Sequence, residues 1–199
     1  MTLHDRPTRP ATPTDLIEQL RGSVRDGLPA AIADLSTLVR IPSVSWDGFD
    51  PAHVQASADE VARLVRELGV FDEVIVDRVE IPGSGALGQP AVLARREPRN
   101  GRPTVLLYAH HDVQPPGRDE DWETPPFEPT VIGDRLYGRG AADDKAGVIA
   151  HIAAIRALIE SVGDPELAGE LLQAAGLGIV VEVLARRSAG DQQLDARQL

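Results

Sequence analysis

The amino-acid sequence predicts an α/β domain. Segments with apolar residues at helical spacing alternate along the chain with short runs of β-favouring residues, the pattern of helices packed on a sheet. The chain has 199 residues, of which 42% are hydrophobic and 26% charged, which suits one domain with a real core. In such folds, sites normally lie beyond the carboxyl ends of the strands, so polar residues at those positions are the first candidates for function.

The first part of the chain is predicted to be helical. Apolar residues recur at helical spacing over residues 16–39, and Gly27 makes a break within this stretch plausible. Pro42 in "RIPSVS" ends the helical stretch, because the residue before a proline disfavours helical geometry. After a polar loop, a second helical pattern runs over residues 54–68, and Gly69 follows where a helix would end.

Strand patterns follow these helices. "FDEVIVDRVEI" alternates like a half-buried strand, and "AVLARRE" and "TVLLYA" indicate two further strands joined by the turn "PRNGRP". "TVLLYA" is apolar almost throughout, which predicts a central strand covered on both faces. "TVIGDRLYGRG" indicates a short strand or hairpin, and a helix is predicted from Lys145 to Gly163.

Composition excludes several classes of function. The formal net charge of −11 argues against nucleic acids and anionic membrane surfaces as partners, because both would repel the chain. The absence of cysteine excludes disulfides, thiolate zinc sites and a cysteine nucleophile. The amino terminus lacks the apolar segment of a secretory signal, and no apolar run approaches membrane-spanning length, so the cytoplasm is the expected compartment.

The strand "TVLLYA" runs directly into "HHDVQPPG", which places imidazole and carboxylate groups at its carboxyl end. A histidine ligates a metal best as the neutral ring, with its second nitrogen hydrogen-bonded to a carboxylate that fixes the tautomer. Asp112 is spaced to supply that carboxylate to His110, or to reach the metal itself. The alternative is a simple hydrogen bond between the two side chains in a polar loop.

A second cluster, "LYGRGAADDKAG", places Asp143 and Asp144 after a glycine-rich turn and at the start of a helix. Helix amino termini favour carboxylates, so N-capping is one explanation. Two adjacent carboxylates repel each other unless a cation or Lys145 offsets their charge, so a bound metal is the other. A dinucleotide-binding loop is excluded, because Asp143 stands where G-x-G-x-x-G requires its third glycine.

In their order and spacing, "YAHHDVQPPG", "DWETPPFEPT" and "DRLYGRGAADDKAG" closely resemble the motifs of a family of dinuclear-zinc hydrolases. This family includes carnosinase-like dipeptidases, acetylornithine deacetylase, succinyl-diaminopimelate desuccinylase and carboxypeptidase G. The sequences "DVQP" and "PPFEP" within the motifs are most similar to those of the dipeptidase branch. "VRIPSVS", at residues 39–45, also resembles a stretch near the family's amino terminus. The resemblance covers roughly residues 15–160. It implies the amino-terminal part of a zinc-peptidase catalytic domain, with a mixed, mostly parallel sheet flanked by helices.

The resemblance also implies roles for the matching residues. His110 corresponds to the first zinc ligand, and Asp143 to the aspartate that bridges both zinc ions. Asp112 corresponds to the catalytic carboxylate that orients or electrostatically supports the histidine, and the Asp143–Asp144 peptide bond is expected to be cis. The implied reaction is hydrolysis of a dipeptide or an N-acyl amino acid by a water bridging two zinc ions. Manganese or cobalt would suit the same ligands.

Other polar and aromatic residues near these motifs receive less specific roles. His111 fills a variable position of the first motif and is expected to be structural or to support the ligands. His151 lies inside a predicted helix, where core packing is favoured over ligation. Trp122 and Phe127 are expected to cover the hairpin near the site, since aromatic side chains are more often packing groups than substrate platforms.

The resemblance ends before the family's general base. In the family, a strand after the "DDK" helix ends in an acidic run such as E-G-E-E-E-G-S. Here Glu182 stands alone inside the predicted strand 179–184, so the catalytic role is not transferred to it. Glu166 and Glu170 are interpreted as surface charges. The later ligands of the family, and the domain through which its members often dimerise, have no counterpart in this sequence.

The predicted organisation is a flexible amino terminus over residues 1–13, a partial metallopeptidase catalytic domain over 14–163 and a tail over 164–199 that does not resemble the family. Three hypotheses follow. The chain is the amino-terminal part of a dinuclear-zinc dipeptidase that is active only when complete. Alternatively, it is a truncated or frame-shifted, non-catalytic product. The third hypothesis is a module that binds a single metal through His110, Asp112 and Asp143.

Overall fold

The structure, a computed structural model, describes residues 13–97, 104–163 and 178–184. Its helices are α1 (Pro13–Asp26), α2 (Leu28–Arg40), α3 (Pro51–Arg66) and α4 (Lys145–Val162). Its strands are β1 (Glu73–Asp77), β2 (Ala91–Arg95), β3 (Thr104–His110), β4 (Thr130–Ile132), β5 (Arg135–Tyr137) and β6 (Gly178–Leu184). The predicted α/β class is confirmed.

The helix boundaries follow local sequence signals. The predicted break lies at Gly27, between α1 and α2, and α2 ends two residues before Pro42. At the start of α3, the Asp50 side chain accepts a hydrogen bond from the Ala52 amide at 2.9 Å. α4 ends at Gly163, whose φ of 77° is the left-handed conformation that glycine adopts at a helix end.

The main sheet has the strand order β1-β2-β6-β3 and is mixed, as expected. The expectation that it is mostly parallel is wrong for the described strands. β1 pairs antiparallel with β2, and β2 antiparallel with β6, while only β3 and β6 run parallel. Parallel neighbours need a crossover connection, and α4 supplies one between β3 and β6, whereas residues 78–90 join β1 to β2 without a helix.

Strand β3 differs from its predicted central position. β6 lies between β2 and β3, so the strands on either side of "PRNGRP" are not neighbours; residues 98–103 of that turn lie outside the described part. Within that part, β3 is an edge strand, and Leu106 and Tyr108 are 55% and 45% exposed. Leu106 and Tyr108 lie on the exposed face of β3. The helices pack on the other face, so only that face of the apolar strand is buried.

The hydrophobic core lies between the sheet and the helices. α3 contributes Val61 and Leu64, the sheet contributes Val92 from β2, and α4 contributes Val148 and Ile152. This packing fixes the start of α4 relative to the end of β3.

The predicted hairpin over "TVIGDRLYGRG" is confirmed as β4 and β5, which form a separate two-stranded sheet. Among the residues described, no helix combines the length and apolar character needed to cross a membrane.

The turn before the acidic pair requires glycine at position 140. Gly140 has φ 81°, and a Cβ there would lie 2.5 Å from Cγ1 of Val113. We expect Gly140→Ala to lower the free energy of unfolding by about 3 kcal/mol, from left-handed strain and overpacking together. Gly133→Ala is the matched control, because Gly133 also has positive φ but has open space around it. We expect Gly133→Ala to lower the free energy of unfolding by about 1 kcal/mol. If urea denaturation shows that the two variants lose the same free energy of unfolding, contact with Val113 does not explain the requirement for glycine at position 140.

Candidate metal centre

His110 is the last residue of β3 and its ring is held on one side by Asp112. The ring Nδ1 lies 3.1 Å from Oδ1 of Asp112 and 3.1 Å from the main-chain oxygen of the same residue. Both oxygens are acceptors, so we assign the Nδ1 proton as the donor. The hydrogen bond to Asp112 is the main reason that the pKa of His110 is raised, while burial of the ring opposes the rise.

The opposite edge of the same ring faces Asp143. Nε2 of His110 lies 3.1 Å from Oδ1 of Asp143, although the two residues are 33 positions apart in the sequence. With the proton assigned to Nδ1, the neutral ring presents its Nε2 lone pair to a carboxylate oxygen. Two electron-pair donors at this distance repel unless a cation or a proton lies between them. The donor set therefore fits a shared divalent cation.

Asp144 holds the acidic pair to the end of β3. Its Oδ2 accepts a hydrogen bond from the His110 amide at 3.2 Å, and the Asp143–Asp144 peptide bond is cis, as expected. Asp144 is the N-cap residue of α4 but makes no side-chain capping hydrogen bond, so N-capping does not explain its carboxylate. A Cβ at Gly147 would overlap that carboxylate. The role of Asp144 was not predicted from the sequence, where the adjacency of two acidic residues was the available signal.

Lys145 does not offset the charge of the acidic pair. It is fully buried, and its Nζ donates hydrogen bonds to the main-chain oxygens of Leu38 at 2.7 Å and Ile41 at 2.8 Å. Burial lowers the pKa of Lys145 to about 7. It is the only lysine among the 20 basic residues of the chain. A compact ammonium group suits this enclosed position better than a guanidinium group.

The segment "VRIPSVS", residues 39–45, contacts the end of β3. The Ser43 hydroxyl donates to the main-chain oxygen of His111 at 2.7 Å. The main-chain oxygen of Ser43 accepts a hydrogen bond from the Val113 amide at 2.9 Å. The Ser45 hydroxyl donates to Oδ2 of Asp112 at 2.6 Å. The roles of these two serines were not predicted from the sequence, since their partners lie more than 60 residues away in the chain.

The remaining histidines near the site make hydrogen bonds to the main chain. His111 is fully buried, its Nε2 donates to the Pro90 oxygen at 3.0 Å, and burial lowers its pKa to about 4. His151 on α4 donates from Nε2 to the Tyr108 oxygen at 3.0 Å. These contacts agree with a structural rather than a ligating role for both histidines.

Trp122 lies beside the loop that follows Asp112. Its Nε1 donates to the Pro116 oxygen at 2.8 Å, and the Arg139 guanidinium lies 5.1 Å from the centre of its ring. This supports the expected covering role of Trp122. Phe127 is half-buried in the segment before the β4–β5 hairpin.

The position of Glu182 does not match that of the family's general base. Glu182 lies within β6, in register with Tyr108 of β3 and Leu93 of β2, and not beyond the strand's end. Glu166 and Glu170 fall outside the described residues. Across residues 13–97, 104–163 and 178–184, no group of three or more metal-ligating side chains is found. His110 and Asp143 are thus two candidate ligands of a set that the described residues alone do not complete.

Comparison with known proteins is consistent with this arrangement. Residues 106–171 match the model of Peptidase family M20/M25/M40. The chain is a relative of these peptidases. It is 37% identical over 128 residues to Cys-Gly metallodipeptidase dug1 of Schizosaccharomyces pombe, a match covering 63% of this chain and 27% of that protein. It is 39% identical over 92 residues to succinyl-diaminopimelate desuccinylase of Acidovorax ebreus, covering 42% of this chain and 24% of the enzyme.

Solved structures of M20 relatives share the fold. The dipeptidase Dug1p of Saccharomyces cerevisiae superposes with a TM-score of 0.70 at 23% identity, over 86% of this chain and 35% of that one. Human carnosine dipeptidase 1 superposes with a TM-score of 0.65 at 25% identity, over 92% of this chain and 37% of that one. The chain spans about a quarter of the length of the two curated relatives above. The resemblance to this family that the sequence motifs indicated is thereby confirmed.

The buried ammonium of Lys145 should be important for stability. Lys145→Met removes two charge-assisted hydrogen bonds and leaves the buried oxygens of Leu38 and Ile41 without this donor. We expect the free energy of unfolding to fall by about 3 kcal/mol, measured by urea denaturation near pH 6, where an amine with a pKa of about 7 is mostly protonated. The control is Arg135→Met on the exposed β5 strand, where we expect a change within about 0.5 kcal/mol. A loss below 1 kcal/mol for Lys145→Met would contradict this account.

Proposed function

We propose that this chain forms the metal-binding amino-terminal part of a metal-dependent amide hydrolase of the dipeptidase type. The observation that carries the proposal is the convergence of His110 Nε2 and Asp143 Oδ1 at 3.1 Å, while the other ring nitrogen is hydrogen-bonded to Asp112. The relatives named Cys-Gly metallodipeptidase and succinyl-diaminopimelate desuccinylase support amide bonds of dipeptides or N-acyl amino acids as substrates.

A divalent cation at this position, expected to be zinc, would supply Lewis acidity for polarising an amide carbonyl and acidifying a water. His110 and Asp143 are the residues that would hold it. The Asp143 side chain is 84% exposed and accessible from solvent, whereas that of His110 is only 8% exposed. A second zinc ion, as in the complete family enzymes, would share Asp143.

Asp112 acts on the site through His110. Its carboxylate keeps the Nδ1 proton in place, which leaves Nε2 as the ligating nitrogen and fixes the plane of the ring. Asp112 is 3% exposed, so its negative charge is poorly screened by water and favours a positive charge on or beyond the imidazole. It therefore supports a bound cation without needing to contact it.

The alternative proposal is a non-catalytic chain that binds one metal through His110 and Asp143. Asp112, predicted as a third ligand of such a module, lies at the opposite edge of the His110 ring. The lack of a larger ligand cluster among the described residues favours this alternative, because a catalytic zinc normally has three protein ligands. The two proposals share a metal centre and differ in whether the chain belongs to a hydrolytic enzyme. An acidic E-G-E-E run in any downstream reading frame would favour the hydrolase, and its absence from every frame would favour the alternative.

Zinc binding tests the metal centre directly. In calorimetric titration of the 199-residue chain, we expect His110→Ala and Asp143→Ala each to weaken zinc binding at least about 10-fold, because each removes a ligand. His53→Ala is the control, since His53 lies on α3 with its side chain 43% exposed, and its replacement should leave the affinity unchanged. If His110→Ala titrates with the same heat as the unaltered chain, the proposed centre is wrong.

Hydrolysis by the isolated chain tests where the general base lies. We expect the 199-residue chain with added zinc to cleave Cys-Gly and other dipeptides at no measurable rate, because the described residues supply two candidate ligands and no positioned base. Product formation would be followed by amine release. Turnover that a chelator abolishes and that His110→Ala lacks would show instead that the chain carries a complete catalytic set.

A further inference from the structure

We propose that Ser45 is a positioning residue for the metal centre, acting on His110 through Asp112. This inference rests on the proposed metal-binding function of His110 and Asp143. It assigns the second serine of "VRIPSVS" a specific role in the chemistry of the site.

The geometry connects three buried side chains in a row. The Ser45 hydroxyl donates to Oδ2 of Asp112 at 2.6 Å, and the other carboxylate oxygen, Oδ1, lies 3.1 Å from Nδ1 of His110. The three residues are 7%, 3% and 6% exposed in that order. A hydroxyl–carboxylate distance of 2.6 Å falls in the range of charge-assisted hydrogen bonds, which are about twice as strong as neutral ones.

This arrangement restrains rotation of the Asp112 carboxylate. A carboxylate turns readily about its Cβ–Cγ bond, because that terminal torsion has a broad energy profile. Ser45 holds one oxygen, so the other remains directed at His110 Nδ1. With Nδ1 protonated, Nε2 keeps the lone pair that faces Asp143. Ser45 thereby helps to select the tautomer of His110 that is able to ligate a metal.

The position of Ser45 depends on contacts outside the site. Val44, its neighbour, forms an isolated parallel bridge with Val113, just after the His110–Asp112 motif. The main-chain oxygen of Ser45 accepts a hydrogen bond from Gln89 Nε2 at 3.3 Å. These contacts hold the segment against the end of β3 independently of the Ser45 hydroxyl. Removal of the hydroxyl should therefore change the orientation of Asp112 more than the path of the main chain.

The experiment compares Ser45→Ala with Ser43→Ala. Ser43 belongs to the same segment and is equally buried, but its hydroxyl donates to the main-chain oxygen of His111 and not to Asp112. Nitrogen-15 NMR of the metal-free protein reports the tautomer of His110, and calorimetry reports the zinc affinity. We expect Ser45→Ala to reduce the Nδ1-protonated fraction and to weaken zinc binding about 10-fold. Ser43→Ala should alter stability while leaving both readouts unchanged.

Two further variants keep the test decisive. Ser45→Thr retains the hydroxyl and should restore both readouts, while Ser45→Cys, of similar size but with a weak donor, should give intermediate values. If Ser45→Ala does not fold, the Thr and Cys variants carry the comparison. Equal tautomer populations and zinc affinities in the unaltered chain and in the Ala or Cys variant would overturn the proposal. Absence of zinc binding in the unaltered chain would instead reject the proposed function, and the NMR comparison would still test the effect of Ser45 on His110.

Discussion

The buried ammonium of Lys145 is the constraint on which the site depends. A buried charge is tolerated only with hydrogen-bonding partners, and Lys145 finds them in the main-chain oxygens of Leu38 and Ile41 at the end of α2. These contacts join the start of α4, which carries the acidic pair, to the segment that leads into Ser43 and Ser45. Those serines in turn contact the end of β3. Three distant parts of the chain are thus held in one arrangement.

The second constraint is electrostatic and explains why the site suits a cation. The carboxylates of Asp112 and Asp143 approach opposite edges of the His110 ring. Lys145, the only lysine of the chain, donates to main-chain oxygens and does not pair with Asp143. The local excess of negative charge around an imidazole favours a positive partner, and a divalent metal would supply one. The hydrogen bond from the Ser45 hydroxyl satisfies one oxygen of the buried Asp112 carboxylate.

Local patterns were sufficient for much of the fold. The end of α2 before Pro42 and the end of α4 at Gly163 were predicted, because each depends on the backbone preference of one residue. The break at Gly27 was one of two possibilities, and Gly27 itself has right-handed helical geometry. The order of the strands was not predictable in this way. β6 inserts between β2 and β3 through a crossover, and a strand's apolar sequence does not reveal which neighbours cover it. β3 therefore looked central in sequence but forms an edge among the described strands.

The sequence by itself determined the candidate ligands and the family resemblance. His110, Asp112 and Asp143 were identified from short motifs, whose spacing reflects a strand end and a helix start. Only the tertiary structure decided that Asp144 binds the His110 amide and that Ser45 holds Asp112. The physical reason is that these hydrogen bonds join residues 34 and 67 positions apart, and a hydroxyl or carboxylate in a sequence carries no record of its distant partner.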